Sequence, residues 1–258
     1  MLRGMRFGPM GLAVAMALVL ASRANAEEQA AQEKPWSVEV QTAYLSRYVW
    51  RGLNLTDDPV SQSSVTFAWK GLSLNLWGNM DLTDVNGNND EFNEVDYTLD
   101  YSGSCGKLNY SVGAIRYHFP NTNFAGTTEV YGALGLDVPL SPTLTVYADV
   151  DEADGWYGTF SIGHTFENVV TVSESVAASL ELSASIAYAD SDYNNFYFGV
   201  DESGFVDALF GVGLPVTVGD HVTVTPSIGY SNIIDSDLAA AAGKDSNFWA
   251  GIGVTLAF

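Results

Sequence analysis

Period-two alternation over the last twelve residues, Asn247 to Phe258, leaves few folds open to this chain. Phe248, Ala250, Ile252, Val254, Leu256 and Phe258 fall on one parity, and Trp249, Gly251, Gly253, Thr255 and Ala257 on the other. Such alternation builds a strand with one apolar face. The opposite face is small and mildly polar, which suits a barrel lumen better than a sandwich core. A strand of this kind, closing an exported chain on an aromatic residue, is expected of a transmembrane β-barrel.

Export is expected from the other end. Arg3 and Arg6 precede an apolar run from Met10 to Ala21, and Ala24-Asn25-Ala26 supplies an A-x-A cleavage site. Residues 1–26 therefore read as a signal peptide whose apolar core is too short to span a bilayer. Glu27 follows the cut where a lipoprotein would need Cys. Removal of the leader takes Arg3, Arg6 and Arg23 with it, so the mature chain is three charges more negative than the formal −21 of the whole. A chain this acidic repels nucleic acid. Cys105 stands alone, which excludes an internal disulfide and a cysteine-based metal cage.

Residues 27–35 are polar and patternless and read as a periplasmic tail. From 36 to 258 the chain reads as an up-and-down antiparallel barrel. Strands are predicted at 36–51, 60–70, 72–81, 94–102, 107–118, 126–138, 143–151, 155–168, 176–189, 205–215, 221–231 and 247–258. Each comes near or above the ~9–11 residues that cross a bilayer obliquely. The connections alternate between short and long, as periplasmic turns and outer loops do. An ambiguous stretch at 167–178 keeps ten or fourteen strands open beside twelve.

Parity assigns the faces. Leu72, Leu74, Leu76, Tyr97, Leu99, Val130, Leu134, Leu144, Leu182 and Ile228 are expected to face lipid. Aromatics near strand ends are expected to form interfacial girdles: Tyr48, Trp50, Tyr117, Trp156, Tyr188 and Phe248 on the loop side, Trp36, Trp69, Tyr101, Phe166 and Phe258 on the turn side. The polar parity carries Glu39, Asp81, Glu94, Asp96, Asp100, Glu129, Asp137, Asp149, Glu181 and Asp207, against Arg47 and Arg51, with Lys70 near the rim. So many acids exceed the bases available to pair with them, which points to a hydrated interior. A lumen filled by infolded loops fits the same charges. Arg47 and Arg51, four apart on one predicted strand, would form either a constriction facing those acids or salt bridges inside a filled barrel.

The stretch Tyr44-Leu45-Ser46-Arg47-Tyr48-Val49-Trp50-Arg51-Gly52, continuing through Asp57-Asp58-Pro59-Val60-Ser61-Gln62, resembles the opening hairpin of the TorF-like outer-membrane porins. Leu76-Trp77-Gly78-Asn79-Met80-Asp81 resembles a second motif of that family. The resemblance covers residues 44–81 and implies a porin-like barrel without naming a solute.

Other chemistries find little support. Asp84-Val85-Asn86-Gly87-Asn88-Asn89-Asp90 has the start of a calcium loop, but Asn89 and Val95 stand where Gly and Glu are needed. His118, His164 and His221 show no nucleophile–base pairing, so no catalytic residue, metal site or cofactor is assigned. The expected function is an outer-membrane passive channel for small polar solutes, cation-preferring or weakly selective. The competing reading is a non-conducting structural or surface-interaction barrel with acidic outer loops. The expected partners are outer-membrane lipid and lipopolysaccharide, small polar solutes, and the barrel assembly machinery, for which Phe258 would be the signal. The oligomeric state stays open.

Overall fold

Backbone groups in hydrocarbon need partners, so amphipathic strands must close on themselves. The computed structural model describes residues 35–87 and 89–258, and its strands close. The leader and nearly all of the N-terminal tail lie outside the described residues. The chain runs β1 (Trp36–Leu45), a short pair β2 (Tyr48–Trp50) and β3 (Leu53–Thr56), then β4 (Val60–Trp69), β5 (Leu72–Asp81), β6 (Phe92–Cys105), β7 (Leu108–His118) and β8 (Thr128–Leu136). It continues through β9 (Thr143–Asp149), β10 (Trp156–Ser173), β11 (Val176–Ala189), helix α1 (Ser191–Phe198), β12 (Gly204–Gly213) and β13 (Val216–Val218). β14 (Val222–Ile233), helix α2 (Ser236–Ala242) and β15 (Ser246–Ala257) complete it.

Neighbours in sequence pair antiparallel around the ring, β10 meets β11, and β15 returns to β1. β13 continues β12 beyond Leu214-Pro215, where proline has no N–H to donate. Counting those two as one gives a twelve-stranded barrel of the outer-membrane type. One of the two-residue turns shows the local logic. Lys70 and Gly71 both take positive φ (49° and 87°), as a two-residue hairpin turn requires. A Cβ on Gly71 would also stand 2.6 Å from the Ser102 carbonyl.

The outer surface is an apolar belt. Leu72, Leu74, Leu76, Leu99, Val130, Leu134, Leu144 and Ile228 are exposed there, as parity predicts. Trp36, Trp69, Tyr101, Phe166 and Phe258 are exposed on the turn side, and Trp156, Tyr188 and Phe248 on the loop side. Three predicted girdle residues turn the other way: Tyr48, Trp50 and Tyr117 are buried inside the barrel. The ambiguous 167–178 stretch resolves as irregular pairing between β10 and β11, with Asn168 at positive φ (52°).

The first predicted strand is cut short. β1 ends at Leu45, and β2 and β3 pair only with each other as a two-stranded sheet. Arg51 (φ 43°) and Gly52 (φ 86°) turn this hairpin. Arg47 and Arg51 therefore do not share a strand of the barrel wall. Two of the long connections carry helices. Asp190 caps α1, accepting from Tyr193 N at 2.9 Å, and Gly199 (φ 74°) ends it. Asp235 and Gly243 do the same for α2.

Candidate functional site in the barrel lumen

The hairpin β2–β3 and α1 fold into the loop-side half of the lumen and fill it. Trp50, Leu53, Tyr193, Tyr197 and Phe198 pack there with the wall residues Trp77, Tyr117 and Tyr157. Rings follow one another from the wall into the plug. Tyr131 lies 5.5 Å from Tyr147, Tyr147 6.4 Å from Tyr157, Tyr157 5.3 Å from Tyr193, and Tyr193 4.4 Å from Tyr197. Trp50 then meets Tyr197 at 5.4 Å.

Arg51 sits at the centre of this assembly with 3 % of its surface exposed. Its Nη1 and Nη2 each donate to Glu129 at 2.8 Å, the bidentate fork that guanidinium geometry favours. The Tyr117 hydroxyl donates to Glu129 Oε2 at 2.8 Å, fixing the carboxylate from the other side. The guanidinium carbon lies 4.3 Å from the ring centroids of Trp50 and Tyr157, 4.6 Å from Tyr147 and 5.7 Å from Tyr193. These are cation–π distances. Nη1 also reaches the Tyr193 hydroxyl at 3.4 Å. Burial holds the phenols of Tyr193 and Tyr197, on the α1 loop, well above their ordinary range.

The remaining predicted lumen acids divide by what they hold. Asp81 accepts from Thr56 (3.0 Å), Asn79 (3.3 Å) and Asn86 (2.8 Å), tying the hairpin and the 82–91 loop to β5. Asp149 accepts from Thr127 and from the backbone N–H groups of Asp151 and Glu152, shaping the loop after β9. Asp100 accepts from Tyr131 at 2.7 Å and Asp207 from Tyr157 at 2.8 Å. Glu94 accepts from Tyr48 at 3.0 Å through one oxygen, while its other oxygen has no partner among the described residues. Asp96 is fully buried, and neither of its oxygens has such a partner. Arg47 is elsewhere, near the rim, 3.0 Å from Asp57. The two arginines thus separate: one is buried inside the barrel and the other belongs to a partly exposed ion pair.

Below the plug lies a cavity of about 330 Å³. It runs from the turn side, at Ser104, Gly106 and Asp137, up to Arg51 and Asp207. Its wall is rich in hydroxyls, among them Ser111, Thr145, Thr159, Ser161 and Ser183. The tyrosines were the signal left unused in the sequence: Tyr131 shares the inward parity of Glu129, and Tyr147 that of Asp149. The histidines are dispersed. His118 is exposed at the end of β7, His164 packs on Phe166, and His221 lies in a turn against Phe258.

Gly155 sets how closely α1 seats on the wall. A Cβ there would collide with the backbone of Tyr193 and stand 2.9 Å from the capping Asp190 carboxylate. Gly155→Ala is therefore expected to lift α1 and cost ~1–3 kcal/mol, as overpacking does. Limited chymotrypsin digestion should cut at Tyr193 or Tyr197 in the variant and not in the parent. Gly132→Ala serves as control, since its added Cβ would meet only a carbonyl oxygen at 3.9 Å.

No protein-family model matches the chain, and no curated protein matches it in sequence. Solved structures do resemble it. The NanC porin superposes with a TM-score of 0.50 at 14% identity, covering 85% of this chain and 98% of that one. The KdgM porin, solved in complex with disordered oligogalacturonate, gives 0.51 at 11% identity over 86% and 99%. LpxR from Salmonella typhimurium gives 0.52 at 9% identity over 85% and 99%. Identities this low show a shared architecture, that of the outer-membrane β-barrel.

Proposed function

We propose that the protein is a porin-like passive channel of the outer membrane for small polar solutes, held narrow at its loop-side end by its own hairpin. The observation that carries this reading is the cavity of about 330 Å³. Its wall carries many hydroxyls, it reaches the turn side, and it ends against a hairpin that shares no strand ladder with the barrel wall. Side-chain contacts alone hold such a plug, so its position can change without breaking the barrel. The motifs at 44–81 support the same class by their resemblance to the TorF-like porins. The acids Glu94 and Asp96, neither of which meets a basic side chain among the described residues, favour cations or neutral solutes over anions.

A second reading, a non-conducting structural or surface-interaction barrel, is favoured by one observation: Trp50, Arg51 and Glu129 are almost wholly buried. Planar-bilayer recording of the refolded protein separates the two. Discrete steps, small and intermittent with the hairpin in place, are expected of the channel. Silence at every voltage, from protein shown to be folded by its heat-dependent gel migration, would reject it.

A further inference from the structure

We propose that the loop-side half of the lumen is a binding site for guanidinium-type organic cations, and that Arg51 occupies it as a tethered stand-in for that ligand. The site belongs mostly to the barrel. Glu129 comes from β8, Tyr117 from β7, Tyr147 from β9, Tyr157 from β10 and Tyr193 from α1. Only Arg51 itself and the Trp50 ring arrive with the hairpin. The wall groups are held independently of Arg51: Tyr117 donates to Glu129, Tyr157 to Asp207, and Tyr147 packs on Tyr131. A fixed bidentate acceptor framed by ring faces thus persists when the hairpin withdraws.

Charge says which ligands fit. Glu94, Asp96, Glu129 and Asp207 are all buried near this end, and Arg51 is the one buried cation among the described residues. Asp96 stands opposite Tyr117 across the β6–β7 ladder and is buried like Glu129. Taking Arg51 away leaves these acids without a counter-charge, so whatever replaces it must be cationic. Ring faces discriminate further. A guanidinium is weakly hydrated and stacks on aromatics, whereas a small inorganic ion gives up its water reluctantly. No group of three or more metal-ligating side chains gathers among the described residues. The cavity beneath, lined at its top by Arg51, Tyr147 and Tyr157, gives a solute access to the underside of the site.

The inference depends on the channel reading only for what would pass, and its test reads binding without conduction. The refolded mature chain carrying Arg51→Ala is heated in ~10 mM methylguanidinium chloride and in the same concentration of sodium chloride. Methylguanidinium should raise the midpoint of heat-dependent gel migration by ~2–4 °C in Arg51→Ala, because a ligand of the folded state stabilises it by mass action. The parent, whose site is occupied, and Arg51→Ala/Glu129→Gln, which lacks the charged bidentate acceptor, should not respond. Equal responses in all three proteins, or none in Arg51→Ala, would overturn the proposal. Should Arg51→Ala fail to refold in sodium chloride, recovery in methylguanidinium supports it. Failure in both salts, for Arg51→Ala and Arg51→Gln alike, overturns it. Bilayer silence with a positive thermal response would count against the channel and leave the site standing.

Discussion

Glu129→Leu is expected to expel the β2–β3 hairpin and to destabilise the protein by ~3–5 kcal/mol, the usual cost of stranding one member of a buried ion pair. Arg51 would lose both short donations, and Tyr117 would lose its acceptor. A guanidinium 3 % exposed can regain solvation only by leaving, and it carries Trp50 with it. Three readouts should therefore move together. The midpoint of heat-dependent migration falls by roughly 6–20 °C, at ~2–4 °C per kcal/mol for a chain of this size. Trp50 emission shifts to the red. Trypsin, expected to spare the buried Arg51 of the parent, should cut after it. The double variant Arg51→Met/Glu129→Leu separates charge from packing, since apolar replacement of a whole buried pair is often neutral or stabilising. A double variant as unstable as Glu129→Leu would show that shape, not charge, governs the plug. Resistance of Glu129→Leu to trypsin at Arg51 would show that the ion pair does not hold the hairpin.

Why the sequence shows the barrel but not this plug follows from what periodicity encodes. Alternation reports that two faces differ, and it locates segments such as 72–81 and 176–189 to the residue. It also places Asp81, Glu94, Asp96, Glu129, Asp149 and Asp207 inside, where all six are buried. It does not report that a run has left the sheet. Tyr48-Val49-Trp50-Arg51 continues the texture of β1, yet the chain bends at Ser46-Arg47 and pairs with itself. An aromatic near a strand end reads the same whether it lies at the lipid interface or folds inward, so Tyr48, Trp50 and Tyr117 share the girdle pattern while lying buried. Partner choice is equally hidden. Glu129 and Asp149 face each other across β8 and β9, yet one holds Arg51 and the other a loop. That division depends on where the infolded loops arrive, which no local pattern carries. The helices were more legible than the loop reading allowed: Asp190 with Gly199, and Asp235 with Gly243, are cap pairs at helical spacing.

Replacing residues 48–56 with a Gly-Ser linker is expected to turn sparse, small openings into sustained conductance steps, with permeation biased toward cations. Removing the hairpin takes Trp50, Leu53 and Arg51 out of the plug and leaves α1 in place. Glu94, Asp96, Glu129 and Asp207 stay on the wall, now bordering water and with no buried base to offset them. A low-dielectric wall around a narrow aqueous path focuses their field, so cations concentrate in it. The bias must fade with salt, because the Debye length falls from ~30 Å at ~0.01 M to ~3 Å at ~1 M. Arg51→Gln with the hairpin retained should strengthen cation preference without the large gain in conductance, since it removes the opposing charge and leaves the obstruction. Arg47→Gln should do much less, because Arg47 is paired with Asp57 near the rim. Reversal potentials under a salt gradient, recorded for the parent and the three variants, decide the matter. Anion preference after hairpin replacement would refute the lumen charge assignment, and unchanged conductance would place the obstruction in α1, at Tyr193 and Tyr197, rather than in the hairpin.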